Sequence, residues 1–165
     1  MIREITLEDA GQFLPLLKHV DESGFMLFEG GERDSSEEKE RQRIERFLKD
    51  PNSTIFVAEK DHQLVGYMMV LGNTVRRTQH SAYIVVGIHA DYRGMGVGKN
   101  LFQEVFRWAG EKKLKRLELT VIKRNEAALH LYKKMGFMIE GEKIGSLIID
   151  GVPEDEFYMY KWLGE

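Results

Sequence analysis

Apolar positions follow two periods along this chain, and the change from one to the other is sharpest in its middle. Residues 83–88, Tyr-Ile-Val-Val-Gly-Ile, form an unbroken apolar run, the pattern of a strand covered on both faces. After a short link, residues 89–92, the period becomes helical. Val97, Leu101, Phe102, Val105 and Ala109 fall on one face, and Lys99, Gln103, Glu104 and Arg107 on the other. Upstream, residues 1–6 are short and extended. Ala10, Phe13, Leu14, Leu17 and Val20 predict a helix over residues 9–22, entered through Thr6 and stopped by Gly24. Ser35-x-x-Glu38 predicts a capping box for a second helix, with Ile44, Phe47 and Leu48 inward and Pro51 after its end. Residues 54–60 and 64–71 read as a hairpin around Asp61-His62-Gln63, followed by a polar connection over residues 72–79.

Downstream of the central helix, residues 116–122 alternate, with Leu117, Leu119 and Val121 on one face and Glu118 and Thr120 on the other. Residues 125–135 predict a helix with Asn125 at its N-cap and Gly136 just past its end. Residues 137–149 and 156–163 are two further strands around the Asp150-Gly151 turn, their register left open by Val152-Pro153. The order β-α-α-β-β-β-α-β-α-β-β describes a mixed α/β domain over residues 1–165, with no repeat or linker to divide it.

Composition narrows the function. At 42% hydrophobic and 31% charged, with a net charge of −3, the chain reads as an ordinary soluble protein without electrostatic pull toward nucleic acid. No apolar run approaches a membrane span, and the start lacks a signal-peptide pattern. The absence of cysteine excludes a disulfide framework, a thiolate metal site and a cysteine nucleophile, and fits the cytoplasm. His19, His62, His89 and His130 show no metal-ligand spacing, so no metal is expected.

The candidate chemistry lies where the central strand turns into its helix, at Arg93-Gly94-Met95-Gly96-Val97-Gly98. Glycines there let backbone N–H groups converge, and a helix N-terminus carries partial positive charge, so this is an anion site suited to phosphate. The Walker pattern fails because Arg93 precedes Gly98 by five residues and Asn100 follows Lys99; the dinucleotide pattern fails on glycine spacing. What remains, Arg93-x-x-Gly96-x-Gly98, resembles the R/Q-x-x-G-x-G/A signature of the GCN5-related N-acetyltransferases, the GNAT family. Residues 125–137 are similar to a second stretch of that family, N-x-x-A-x-x-x-Y-x-x-x-G-F. The resemblance implies a mixed, mostly antiparallel sheet with helices on both faces, splayed at its central strands.

It also implies acetyl-CoA as acetyl donor, with CoA as product. Arg93, Gly94, Gly96, Val97, Gly98 and Lys99 would hold the pyrophosphate, mainly through backbone N–H groups, with Arg93 either touching it or bracing the loop. Val86 and Ile88 would offer backbone groups to the pantetheine arm and to the oxyanion, and Gly87 would permit close approach. Asn125, Ala128 and Tyr132 share one helix face. By resemblance Asn125 contacts the donor as well as capping, and Tyr132 is the general acid for the departing thiolate. The family's positions for a carboxylate base hold Ala82 and Thr120 here. Glu118 and His80, each two residues away, are the substitutes, acting through water.

The acceptor is expected to be a primary amine: a small amine, a polyamine, an amino acid or a protein N-terminus, acetylated directly in a ternary complex. By resemblance residues 25–38 flank its cleft. Phe28, Glu29 and Glu32 are the candidates there, where an apolar patch adjoins five acids opposed by Arg33 alone. From another class, a catalytically silent acyl-CoA-binding or sensor module is favoured by the missing base positions and opposed by Tyr132. Neither nucleic acid nor membrane is expected as a partner, and a homodimer is left open.

Overall fold

A computed structural model describes residues 1–164. Its strands are β1 (Ile2–Glu4), β2 (Thr54–Lys60), β3 (Gln63–Gly72), β4 (Ser81–Ile88), β5 (Arg116–Ile122), β6 (Met138–Ile149) and β7 (Val152–Trp162). Its helices are α1 (Ala10–Asp21), α2 (Glu37–Lys49), α3 (Val97–Glu111) and α4 (Glu126–Lys134). All seven strands join one sheet, in the order β1-β2-β3-β4-β5-β7-β6. Every pairing is antiparallel except β4 with β5.

Alternation along the strands divides the core between the two faces. Phe56, Met68 and Ile84 pack toward α3 with Leu101, Phe102 and Val105. Ile55, Val57, Tyr67 and Met69 pack toward α1 and α2 with Phe13, Leu17 and Ile44. A bulge in β3, where the step Ala58/Glu59 opposes Gly66 and Leu64, shifts the phase of the alternation. The displaced Val65 carbonyl accepts a 2.8 Å bond from the His89 N–H, fixing the chain as it leaves β4.

The hairpin turns follow their chemistry. Asp61 and His62 both have positive φ in the β2–β3 turn, as do Asp150 and Gly151 in the β6–β7 turn, the conformation that matches strand twist. The second turn resolves the open register. β7 starts at Val152 rather than near Glu156, with Ile149 opposite Val152 and Ile148 opposite Pro153. The pair that closes a two-residue turn is the hydrogen-bonded one, so Pro153 falls in the following non-hydrogen-bonded pair with its nitrogen turned away from β6; β5 pairs β7 only from Glu156, so proline's missing N–H leaves no ladder bond unmade.

Other boundaries moved. A 3₁₀ turn, Leu7–Asp9, precedes α1, and Leu16 rather than Leu14 is buried beside Leu17. Ser36, not Ser35, caps α2 by accepting from the Lys39 N–H. Ser35 instead donates to buried Glu40, while Leu48, expected inward, is exposed at the C-terminal end of α2.

Gly87 has a packing role that the pattern did not show. It pairs with Tyr67, and a Cβ at Gly87 would lie 2.6 Å from the Tyr67 ring. The Cβ side of Gly87 is thus filled by a buried aromatic ring on the α1 face, while Gly87 itself still lines the cleft described below. Gly87→Ala is expected to destabilise the fold by about 1–3 kcal/mol. Gly110→Ala, within α3 and facing open space, should stabilise it by about 0.5–1 kcal/mol. Urea unfolding midpoints of the two variants should move in opposite directions.

Candidate active site

The only parallel pairing among the described residues is short. β4 and β5 are in register at Ser81–Arg116, Ala82–Leu117 and Tyr83–Glu118, and then they diverge. Tyr83 and Thr120 close the fork with hydroxyl oxygens 2.8 Å apart. Beyond it, Ile84 to Ile88 and Leu119 to Ile122 line opposite walls of a cleft of about 1660 Å³. Between these walls neither strand has a neighbour, so backbone polar groups there face the cleft instead of a ladder.

One end of the cleft is the turn into α3. Gly94 and Gly96 have φ of +73° and +82°, and a Cβ on either would enter open space. Gly96 occupies the N-cap of α3 without any side-chain cap. The first bond into the helix is Asn100 N–H to Gly96 carbonyl, and among the described residues no protein acceptor receives the N–H groups of residues 94–99. A row of free donors at the positive end of a helix is suited to a phosphate. Gly98 differs: its Cβ would lie 2.7 Å from Leu131 and 3.1 Å from Ile88, so it serves packing of α3 on α4 and β4. Arg93 and Lys99 are exposed and line the cleft, and among the described residues neither makes an ion pair. Among the described residues the Arg93 side chain makes no hydrogen bond to the loop.

The far wall is α4. Asn125 accepts the Ala128 N–H at 3.3 Å, which caps the helix, and both residues line the cleft. At the other end Gly136 adopts φ +95°, the Gly136 N–H bonds the Lys133 carbonyl and the Phe137 N–H bonds the Tyr132 carbonyl. These reciprocal bonds make the left-handed helix stop that glycine favours. They also seat Phe137 against Tyr132, which packs edge-on against Phe102 at 5.9 Å. Tyr132 is thereby fixed by its backbone and its ring; it lines the cleft, and its hydroxyl has no hydrogen-bond partner among the described residues. Burial pushes its pKa above the ordinary tyrosine value, so the phenol holds its proton.

The structure thus brings Val86, Ile88, Arg93, Gly94, Gly96, Val97, Gly98, Lys99, Asn125, Ala128 and Tyr132 to one cleft. Glu118 and His80 lie outside its lining. Glu118 is bound by Arg116 at 3.1 Å, and His80 packs against Trp162 at the opposite end of β4. Among the described residues no group of His, Asp or Glu is arranged to hold a metal ion.

The acidic run over residues 29–38 is dispersed. Glu37 and Glu38 pair with Arg41 on the surface of α2, and Glu29 lies outside the cleft lining. Phe28 and Glu32 do line it, with Asp34. What lies beneath them was not visible from residue spacing. Arg33 binds fully buried Asp21 through two bonds of 2.7 and 3.1 Å, and the Phe28 ring sits 4.7 Å above its guanidinium. Phe25 stacks 4.9 Å from Arg124, which binds Glu154 at 2.7 Å, so the segment between α1 and α2 reaches the β7 side of the cleft.

Three comparisons bear on this arrangement. The model of the Acetyltransferase (GNAT) family matches residues 19–137. An uncharacterized N-acetyltransferase of Mycobacterium tuberculosis is 31% identical over 102 residues, 61% of this chain and 63% of that relative, so the match spans less than two thirds of the relative's length. The L-amino acid N-acetyltransferase AaaT of Escherichia coli is 29% identical over 116 residues, 70% of this chain and 72% of its own. A GNAT-family acetyltransferase structure from Streptococcus pneumoniae superposes with a TM-score of 0.94 at 28% identity, covering 99% of both chains.

The free donors of residues 94–99 predict a clear ranking of glycine variants. Gly96→Val places a side chain in the mouth of the cradle and strains a positive-φ position, and should weaken acetyl-CoA binding about tenfold or more, roughly 1.4 kcal/mol or above. Gly98→Ala presses on a leucine methyl and should change stability more than affinity. Calorimetric titration with acetyl-CoA, on variants shown folded by circular dichroism, checks both.

Proposed function

The chain belongs to the acetyltransferase (GNAT) family, whose acetyl donor is acetyl-CoA, and on that premise we propose that it acetylates a primary amine directly in a ternary complex. The observation that carries this reading is the fork: β4 and β5 part after Tyr83, and the opening runs from the uncapped N-terminus of α3 to the Tyr132 hydroxyl. A CoA pyrophosphate fits the N–H row of residues 94–99, with Arg93 and Lys99 beside it. The pantetheine lies along β4 as an added strand, bonded to backbone groups of Val86 and Ile88. The thioester then reaches the fork, and the amine enters from the side of residues 25–36.

The chemistry balances without a covalent enzyme intermediate, in keeping with a chain that has no cysteine. The amine nitrogen attacks the thioester carbonyl, a C–N bond forms, and the oxyanion is met by a backbone N–H near Ile88. The C–S bond breaks as the carbonyl re-forms. The CoA sulfur takes the Tyr132 proton, and the ammonium of the new amide loses its proton through water to restore the phenol. Because burial raises the Tyr132 pKa, its proton is retained across the working range, and no falling limb below pH ~10 should come from its loss.

A panel assay of CoA release across amines tests the reading directly: acetyl-CoA turnover that depends on an amine supports it, and none with any amine contradicts it. Tyr132→Phe keeps the ring packing and removes the donor. It should lower kcat about 10²–10⁴-fold while acetyl-CoA affinity holds. With Glu118 and His80 outside the cleft, Glu118→Gln and His80→Asn should each leave the rising pH–rate limb in place. Loss of that limb with most of the activity in either variant would identify it as the base.

A further inference from the structure

The acceptor end of the cleft combines two features. Its carboxylates are committed or peripheral, and its walls are aromatic and aliphatic. At the floor, Asp21 is held by Arg33, and Glu40 receives Ser35 at 2.5 Å and Arg43 at 3.2 Å. Both acids are buried, so each pair is a fixed, mutually neutralised unit. On the β7 side Glu156, in register with Lys143, accepts from Ser146 at 2.7 Å. Glu32 and Asp34 stand at the exposed rim, opposite the equally exposed Lys143. The lining also includes Phe25, Phe28, Tyr67, Met69, Tyr83 and Tyr158. Phe28 and Tyr158 remain 38% and 40% exposed, leaving ring surface for a ligand.

Resting on the acetyltransferase reading, we propose that the acceptor is a primary amine on an apolar or aromatic body that carries no second charge. Two physical arguments converge on it. A second ammonium would have to be buried among rings with every floor carboxylate already bonded, and a carboxylate would meet guanidinium groups already occupied by acids; unpaired burial of either is strongly unfavourable. An apolar chamber also answers the missing base. Desolvation lowers the pKa of an amine, so a monoamine entering this chamber sheds its proton to water before attack and needs no adjacent carboxylate. Phe28, seated on the Arg33 guanidinium, and Tyr158, on the opposite strand β7, are the specificity residues of this chamber.

The experiment follows CoA thiol release at saturating acetyl-CoA with phenethylamine, spermidine and L-alanine as acceptors. It is run at low and high salt, with wild type, Phe28→Ser and Tyr158→Ser. Phenethylamine should lead the other two in kcat/KM by about tenfold or more, the scale on which a pocket separates unlike side groups. Its kcat/KM should change less than about twofold with salt, because no screened ion pair holds it. Each variant should raise its KM several-fold with little change in kcat; the two sites lie on different walls, so loosening of one segment cannot account for both. Spermidine in the lead, with a rate that falls as salt rises, would show that rim acids Glu32 and Asp34 select a polycation and would overturn the proposal while leaving the transferase reading intact. L-alanine in the lead, or an unchanged phenethylamine KM in both variants, would overturn it in the same way. Absence of CoA release with every amine would remove the transferase reading, and this one with it.

Discussion

Two parallel strands that stop pairing leave backbone donors and acceptors without partners, and the site is organised by that constraint. In β4 and β5 the ladder ends at Tyr83–Glu118, and the unpaired groups beyond it need water or a ligand. Neighbouring elements hold the fork open. The β3 bulge presents the Val65 carbonyl to the His89 N–H, and the Tyr67 ring covers Gly87, so β4 is held on its β3 side as it bends away from β5. β5 is held by β7 along its whole length. An extended ligand with alternating amide groups suits such a slot, as an added strand would.

The slot is useful only because its two ends are prepared. At one end, left-handed Gly94 and Gly96 leave the first N–H groups of α3 free and aimed outward. At the other, the helix stop at Gly136 returns the chain so that the Phe137 N–H reaches the Tyr132 carbonyl and the two rings pack together. A phenol fixed in this way keeps its proton by burial, and in the proposed role of donor it would need little reorganisation. Toward residues 25–36, the Asp21–Arg33 and Glu40–Arg43 pairs neutralise charge at the cleft floor, which is why the proposed acceptor carries no second charge.

Much of this was legible in the sequence where spacing alone carries the information. The strand–glycine–helix order of residues 83–111, the cap at Asn125 and the stop at Gly136 all depend on local backbone chemistry, and they stand as read. Features set by residues distant in the chain were not legible. Gly87 is explained by Tyr67 across a strand pair, and Gly98 by Leu131 on another helix. The excess of acids over residues 29–38 suggested a negative cleft. Arg41, one turn on in α2, takes Glu37 and Glu38 to the surface, while Arg33 turns inward to an aspartate twelve residues earlier. Charge counted along a segment gives no direction; the direction came from buried pairing.

The central claim, that the fork between β4 and β5 and the uncapped turn into α3 form one continuous seat for the donor, is tested most directly by amide hydrogen exchange with and without CoA. CoA should slow exchange together in residues 84–88 and 94–99, with the β2–β3 turn and the outer strand β6 unchanged. Unchanged exchange in both segments at saturating CoA, or protection confined to residues outside the cleft, would contradict the account.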